Sequence, residues 1–269
     1  MKYSVLTLFP EIIDAYFNSS IMAKALGRGI IEYSAINIRD FAFDKHRTCD
    51  DAPYGGGPGM LMLAEPLGRA LEAAGAVNRL GNPETVGINK LVTGNPVKKV
   101  VYLSPSGKPF DQALARELAL EEEIVLLCGR YEGIDQRIID CYVDDEISVG
   151  DYVLSSGEVA ALILIDATYR LVEEVITPAS LNEESFDSFL LEYPQYTRPE
   201  IYGIMKVPEV LLSGHHENIR RWRLEKSVEK TLALRPDLIR VGEERLSFDA
   251  ETRKIIEWKR RENSGEGEI

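Results

Sequence analysis

The chain has 269 residues, of which 45% are hydrophobic and 28% charged, a composition typical of globular proteins with one large domain or two ordinary ones. Its net charge of −13 disfavours a broad nucleic-acid-binding surface, because phosphates attract Lys and Arg. The sequence has no run of 18 apolar residues that could span a membrane and no visible signal peptide. Its three cysteines are odd in number and form no C-x-x-C pair, so they suggest neither a disulfide framework nor a zinc site, and we expect a cytoplasmic protein.

The first part of the chain alternates predicted strands and helices. Residues 2–9 have a β-rich pattern, and helical spacing follows over residues 11–29. Residues 33–41 alternate as a second strand, so the strand–helix–strand order predicts a parallel sheet. The glycine- and proline-rich segment 50–60 predicts a loop, and residues 63–77 have the pattern of a further helix.

Three glycine-containing turns follow predicted strands in the middle of the chain. After an expected surface insertion at residues 78–98, these turns lie at residues 103–107, 129–133 and 148–157. The last unit, residues 145–172, reads as a glycine turn, a short strand, a second turn and a long apolar helix. Because the carboxyl ends of parallel strands meet at one edge of a sheet, these turns predict a shared ligand site.

The second of these turns indicates the charge of the ligand. It carries Glu132 and Asp135, and it matches neither G-x-G-x-x-G nor a loop with Lys followed by Ser or Thr. A polyanion would meet carboxylates here. We therefore expect a ligand that is neutral or cationic at its reacting end.

The C-terminal part of the chain differs from the first part in composition and in hydrophobic periodicity. Residues 177–195 are acidic and proline-containing without a sustained period, which predicts a linker, and a helical domain follows over residues 196–269. One helix is expected to begin at Ser213 or Gly214 and to end at Pro236, and the tail from residue 260 is expected to be disordered. The basic stretch within this helix is compatible with a solvated face of i,i+4 ion pairs or with an RNA-facing patch.

Six segments of the chain resemble, in order, the signatures of the bacterial tRNA (guanine-N1)-methyltransferase (TrmD) family, of the SPOUT class: HRTCDDAPYGGGPGM, YLSPSG, CGRYEGIDQR, SVGDYVLSSGE, LLEYPQYTRPE and VPEVLLSGHHENIRRWR. The resemblance implies an α/β domain with a parallel sheet and a deep trefoil knot over residues 1–176, a flexible linker over 177–195, and a small all-helical tRNA-binding domain over 196–269. Periodicity alone predicts a plain doubly wound sheet, since knotted chains are rare.

The same resemblance implies a homodimeric enzyme that transfers a methyl group from S-adenosylmethionine to N1 of guanosine at position 37 of tRNA, on the 3′ side of the anticodon. The cofactor is expected in the three turns, held largely by backbone. The implied cofactor residues are Tyr102, Leu103, Ser104, Pro105, Gly107, Gly129, Tyr131, Glu132, Gly133, Ser148, Val149, Gly150, Asp151, Tyr152, Val153, Leu154 and Gly157. Ser156 replaces a glycine usual in the family, which puts the geometry of the third turn in question.

The methyl acceptor requires a base and a cationic group. Guanine N1 carries a proton at neutral pH, so a carboxylate must remove it while O6 is stabilised. The family places an Asp eight residues before the acidic residue that corresponds to Glu192, and this chain has Glu184 there. Glu184 is therefore the expected base and Asp187 the second candidate, while Arg170 corresponds to the family's arginine. A solvated linker carboxylate and a surface arginine are the competing readings.

The candidates for metal and RNA contacts come from the family resemblance and from the residue types. The resemblance implies a dependence on Mg²⁺, with Glu132 the candidate to assist either the sulfonium or the ion, and no carboxylate cluster marks a metal site. Arginine suits phosphate by its fork geometry. The RNA-binding candidates are His46, Arg47, Tyr54, Gly55, Arg220, Arg221 and Arg223.

Two other functions compete with this reading. A SPOUT methyltransferase could act on another RNA, for instance on a ribose 2′-hydroxyl of ribosomal RNA, but such an enzyme needs no base for a purine N1–H. A non-catalytic RNA-binding module is the other alternative. The linker segment YTRPE favours the guanine enzyme over the ribose enzyme, and failure to bind S-adenosylmethionine would favour the binding module.

Overall fold

The computed structural model describes residues 1–80, 98–175, 186 and 188–264 of the chain. The chain divides into two compact units, Met1–Thr177 and Pro178–Ile269. Among the described residues, no helix is both long and apolar enough to cross a bilayer.

Strands and helices alternate along the first unit. The strands are β1 (Lys2–Thr7), β2 (Glu32–Asn37), β3 (Asp50–Asp51), β4 (Leu61–Met62), β5 (Lys99–Pro109), β6 (Glu123–Cys128) and β7 (Asp145–Ser148). The helices are α1 (Pro10–Phe17), α2 (Ser20–Gly27), α3 (Ala64–Ala73), α4 (Gln112–Ala119), α5 (Gln136–Tyr142) and α6 (Gly157–Tyr169), with a 3-10 turn over Ile38–Phe41.

Five of these strands form one parallel sheet in the order β2-β1-β6-β5-β7. β3 and β4 form a separate two-stranded antiparallel pair. The predicted α/β class with a parallel sheet is confirmed. Because all five strands run in the same direction, their carboxyl ends and the turns that follow them lie at one edge.

The sheet is buried on both faces. In β6, Ile124 and Leu126 belong to one hydrophobic core, while Val125 and Leu127 belong to the other. Phe17 of α1 packs in the first core, and Leu71 of α3 packs in the second. A strand covered on both faces needs apolar residues at every position, which explains the continuous run IVLL in β6.

The structure differs from the predicted elements in three places. The helix predicted over residues 11–29 is two helices, separated at Asn18 and Ser19, with Ser20 at φ 53°. The strand predicted over 33–41 ends at Asn37, whose side chain accepts a hydrogen bond from the Arg39 N–H at 3.0 Å and starts the 3-10 turn. In the unit 145–172 the strand is Asp145–Ser148, before Gly150 and not after it.

The second unit contains helices α7 (Glu209–Leu212), α8 (His216–Leu234), α9 (Pro236–Glu244) and α10 (Ala250–Ser264). It also contains a hairpin of β8 (Ile201–Tyr202) and β9 (Met205–Lys206), so the prediction of an all-helical domain over residues 196–269 is wrong for this hairpin. Its core holds Val228, Ile239, Phe248 and Ile256. The helix predicted to run from Ser213 or Gly214 to Pro236 runs from His216 to Leu234, and Pro236 begins the next helix. The disorder predicted from residue 260 is wrong for residues 260–264, which continue α10.

Candidate functional site

Three turns at the carboxyl edge of the sheet enclose a cavity of about 310 Å³. The second and third turns follow β6 and β7, as the sequence predicts, but the first lies within β5 (Lys99–Pro109) and not after it. The cavity is lined by Tyr102, Leu103, Ser104, Pro105, Ser106, Gly129, Arg130, Tyr131, Glu132, Gly133, Ile147, Ser148, Val149, Gly150, Tyr152, Val153, Leu154, Ser155, Ser156, Gly157 and Ala160.

The first turn is a bulge within β5. Leu103 and Lys108 both lie opposite Ile147 of β7, so the residues between them leave the ladder and project at the sheet edge. Asp145 of β7 joins the two sides of this bulge, because its carboxylate contacts Lys99 Nζ and Lys108 Nζ, each at 2.8 Å. The bulge, and not a simple strand end, therefore supplies Ser104 and Pro105 to the cavity.

Asp145→Asn is expected to lower stability near neutral pH by about 1–3 kcal/mol, the scale of hydrogen bonds to charged groups. Burial opposes ionisation of Asp145, but hydrogen bonds from Lys108 and Lys99 outweigh it and hold the pKa of this carboxyl below its ordinary value. Stability from such a group is present above the unfolded-state pKa of about 3.9 and is lost as the pH falls through the folded pKa. Urea unfolding of both proteins should give a difference that closes below about pH 4. A difference that stays constant with pH would contradict this role.

Glycines allow the strands and turns to approach closely. A Cβ atom at Gly107 would lie 2.5 Å from Glu146 C, and one at Gly157 would lie 2.7 Å from Gly129 N. The Gly157 N–H also donates to Gly129 O at 2.8 Å, so the start of α6 lies directly against the second turn. These glycines serve close backbone packing, which the absence of a side chain permits.

The second turn is anchored to the segment that contains β4. The Glu132 N–H donates to Met60 O at 3.0 Å, and the Met62 N–H donates to Gly133 O at 3.0 Å. The Tyr131 hydroxyl donates to Asp50 Oδ1 at 3.2 Å. The glycine-rich segment 50–60 is thus held beside the cavity by its two ends.

Glu132 is the carboxylate in the described lining of the cavity, and the hydroxyl of Tyr102 and the thiol of Cys128 are neutral at neutral pH. Burial, reinforced by Glu146, raises the pKa of Tyr102 to about 12, so its hydroxyl stays protonated and is no general base at neutral pH. Cys128, at the end of β6, does not line the described cavity, and burial together with Glu158 raises the pKa of its thiol and keeps it neutral. The Arg130 guanidinium lies over the Phe9 ring, 4.5 Å from its centroid. Glu132 and Arg130 are the charged residues of the described lining, so the absence of a polyanionic ligand stays a prediction.

The structure brings together all the predicted cofactor residues except Gly107 and Asp151, which do not line the cavity. Gly107 contacts the backbone of β7 instead. Ser156 is the N-cap residue of α6 at φ −164°, an extended conformation open to any residue, so serine is accommodated without strain. Four further lining residues, Ser106, Arg130, Ser155 and Ser156, lie within the three predicted turns without being among the named cofactor residues, and sequence reasoning missed only Ile147 and Ala160 among the described lining residues.

Of the three catalytic candidates, the structure describes only Arg170. Arg170 is the C-cap residue of α6 and is half-buried, and it is absent from the described lining of the cavity. Glu184 and Asp187 lie outside the described residues. The expected base therefore stays a prediction.

The RNA-binding candidates lie on exposed or ion-paired positions. Arg220 contacts Glu217 at 2.7 Å and Glu251 at 2.8 Å, and Arg221 contacts Glu225 at 3.0 Å, as expected for a helix face with ion pairs. Arg223 lies over the Tyr193 ring at 4.7 Å. The remaining candidates belong to exposed loops of the first unit: His46, Arg47 with an ion pair to Asp40, Tyr54, and Gly55 at φ +90°.

Among the described residues, no group of three or more His, Cys, Asp or Glu side chains could hold a metal ion. Glu132 is a single carboxylate at the cavity and does not make a metal site by itself.

Comparison with known proteins shows to which family the chain belongs. The model of the family described as tRNA (Guanine-1)-methyltransferase TrmD matches residues 1–241. A protein of Treponema denticola named tRNA (guanine-N(1)-)-methyltransferase is 58% identical over 256 residues, covering 95% of this chain and 98% of that protein. Proteins of the same name are 54% identical over 256 residues in Treponema pallidum, with 95% of each chain covered, and 55% identical over 240 residues in Borreliella burgdorferi, with 88% and 92% covered. The chain therefore belongs to the tRNA (guanine-1)-methyltransferase family.

Proposed function

We propose that this protein transfers a methyl group from S-adenosylmethionine to N1 of guanosine at position 37 of tRNA, beside the anticodon. Membership of the tRNA (guanine-1)-methyltransferase family supports methyl transfer to tRNA guanine. The observation that carries the proposal is the cavity formed by three glycine-containing turns, with Glu132 as the carboxylate of its described lining and Arg130 as its cation. Such a cavity suits a neutral ligand with a cationic reacting centre.

The residues of the cavity fit S-adenosylmethionine. Its volume of about 310 Å³ lies at the lower end of the range for small-molecule sites. Leu103, Ile147 and Ala160 offer apolar surface to an adenine ring, and the exposed backbone of the glycine turns offers hydrogen bonds to its edge. Glu132 would face the cationic sulfonium. When bound, the cofactor supplies the electrophilic methyl group.

The protein's own residues would supply proton transfer and charge stabilisation. Glu184 is proposed to remove the N1 proton of guanine as the methyl group arrives, with Asp187 as the second candidate. Arg170 is proposed to stabilise the charge that builds on O6. Arginine suits this role because its guanidinium is always charged and donates several hydrogen bonds.

We also propose the finer features of the fold that the family resemblance implies. These are a deep trefoil knot in the α/β unit, a linker over residues 177–195, and a helical tRNA-binding domain after it. The close contact of Gly157 with Gly129, which brings α6 against the second turn, supports a tightly interlocked chain here. A tRNA substrate implies a cytoplasmic location, and Mg²⁺ dependence stays a prediction without an assigned protein site.

Helix α6 supports the proposed homodimer. It is apolar on nearly all sides, as expected for a helix that is covered all round. Val159 and Ile163, four residues apart on one face, are nevertheless 46% and 40% exposed in the single chain. A second copy of the chain would cover this face.

Ile163→Asp is expected to convert the dimer to a monomer, because a charge on this face would be buried without a partner in the interface. Light scattering coupled to size exclusion measures the mass of both proteins. Leu120→Asp is the control, since Leu120 is 86% exposed outside this helix and should tolerate the same change. A monomeric wild type, or a dimer that keeps its mass in both variants, would contradict the assignment of the interface.

Transfer of labelled methyl from S-adenosylmethionine tests the proposed function. Unmodified tRNA with guanosine at position 37 should accept the label, and the same tRNA with adenosine at that position should accept none. Binding of S-adenosylmethionine without transfer to either tRNA would favour a methyltransferase for another RNA. Absence of cofactor binding would favour a non-catalytic RNA-binding module.

A further inference from the structure

The glycine-rich loop of residues 54–59 is joined to the second turn of the cavity through backbone hydrogen bonds. Immediately after the loop, Met60 O accepts from the Glu132 N–H, and the Met62 N–H donates to Gly133 O, both at 3.0 Å. The Asp135 N–H donates to Met62 O at 3.2 Å, and Met62 forms an isolated parallel bridge with Ile134. The position of the loop relative to Glu132 is therefore fixed by backbone.

Gly59 leaves the space in which the Glu132 side chain lies. A Cβ atom at residue 59 would overlap Glu132 Cγ most closely, and it would be 2.7 Å from Glu132 Oε1 and 2.9 Å from its Cδ. Gly59 has φ +89°, and Gly56 in the same loop has a similar φ of +77°. A Cβ atom at Gly56, however, would have no heavy atom within 4 Å. These two glycines have similar positive φ angles and differ in whether they border Glu132.

We propose that Gly59 is a positioning residue for the cofactor, which sets the direction in which Glu132 presents its carboxylate to the cavity. The inference rests on the proposed cofactor, S-adenosylmethionine. A methyl group at residue 59 would clash with Glu132 from Cγ to the carboxylate, so this flexible and exposed side chain would have to take another rotamer from Cγ outward. The fold would tolerate this change, but the negative charge would move away from the sulfonium.

Calorimetric titration with S-adenosylmethionine and S-adenosylhomocysteine measures how much the Glu132 charge contributes to cofactor binding. The first ligand carries a cationic sulfonium and the second a neutral thioether, so the ratio of their Kd values reports the electrostatic contribution of Glu132. Gly59→Ala and Glu132→Gln are each expected to reduce the preference for the cation about three- to tenfold. Gly56→Ala should keep the wild-type ratio. The double variant Gly59→Ala/Glu132→Gln should match Glu132→Gln alone, because residue 59 acts through Glu132.

Comparison of the stability of Gly59→Ala and Gly56→Ala shows whether residue 59 positions Glu132 or whether the substitution damages the fold. The strain of alanine at positive φ is common to Gly59→Ala and Gly56→Ala, so their urea midpoints should agree while their ligand ratios differ. A wild-type ratio in Gly59→Ala, or an additive loss in the double variant, would overturn the inference alone. If the wild type binds neither ligand, the proposed cofactor is wrong and the inference falls with it.

Discussion

Glu184→Gln is expected to lower the rate of methyl transfer to tRNA at least about a hundredfold, the usual scale for loss of a general base. The guanine N1 proton has to leave as the methyl group arrives, and glutamine has almost the shape of glutamate but cannot accept that proton. Because Glu184 contacts the reacting atoms only during transfer in this proposal, the affinity for S-adenosylmethionine should change little. Single-turnover kinetics with labelled cofactor measure the rate.

Asp187→Asn is the matched control, since it makes the same chemical change three residues further along the same segment. It should retain activity within a few-fold of the wild type. If Asp187→Asn is the inactive variant and Glu184→Gln is active, the register of the base is wrong by three residues. Full activity in both variants would remove the carboxylate base from this segment.

Gly107→Ala is expected to destabilise the protein by about 1–3 kcal/mol, the usual cost of overpacking, and to weaken S-adenosylmethionine binding at least about tenfold. The added Cβ would lie 2.5 Å from Glu146 C and 2.6 Å from Ile147 C. These are backbone atoms of β7, which cannot turn aside as a side chain can. The strand must move, and the bulge that supplies Ser104 and Pro105 to the cavity moves with it.

Gly27→Ala is the control for this variant, because Gly27 lies in α2 and a Cβ there would have no heavy atom within 4 Å. Alanine is favoured over glycine in helices, so this change should be neutral or slightly stabilising. Urea unfolding and calorimetric titration give the two quantities for each protein. Equal midpoints and equal affinities in the two variants would contradict the packing role of Gly107.

The sequence predicts the central strands β5 and β6 because each contains an apolar run that is followed by glycine-containing turn residues. The run IVLL before Gly129 is an example, and the turn after it lies at the cavity as expected. Strand β7 is harder to recognise, since it begins with Asp145 and Glu146. Asp145 is accommodated by Lys99 and Lys108, contacts that depend on the register of β5 against β7. A single sequence does not contain that register.

The candidate site is predictable to a similar degree. Turns after parallel strands converge by topology, so residues within them can be assigned to one cavity from the order of the strands along the chain. Contacts between distant segments are not accessible in this way. Gly59 and Glu132 lie far apart in the sequence, and their proximity results from the hydrogen bonds of Met60 and Met62 with the second turn. The placement of Gly107 against β7, outside the cavity, has the same origin in tertiary packing.

The identity of the methylated nucleoside tests the central claim most directly. Unmodified tRNA with guanosine at position 37 would be incubated with the protein and S-adenosylmethionine, digested to nucleosides and analysed by mass spectrometry against standards. The proposed mechanism predicts N1-methylguanosine, located at position 37 by fragment mapping. A 2′-O-methylated nucleoside, a methyl group at another position, or unmodified tRNA in the presence of bound cofactor would contradict it.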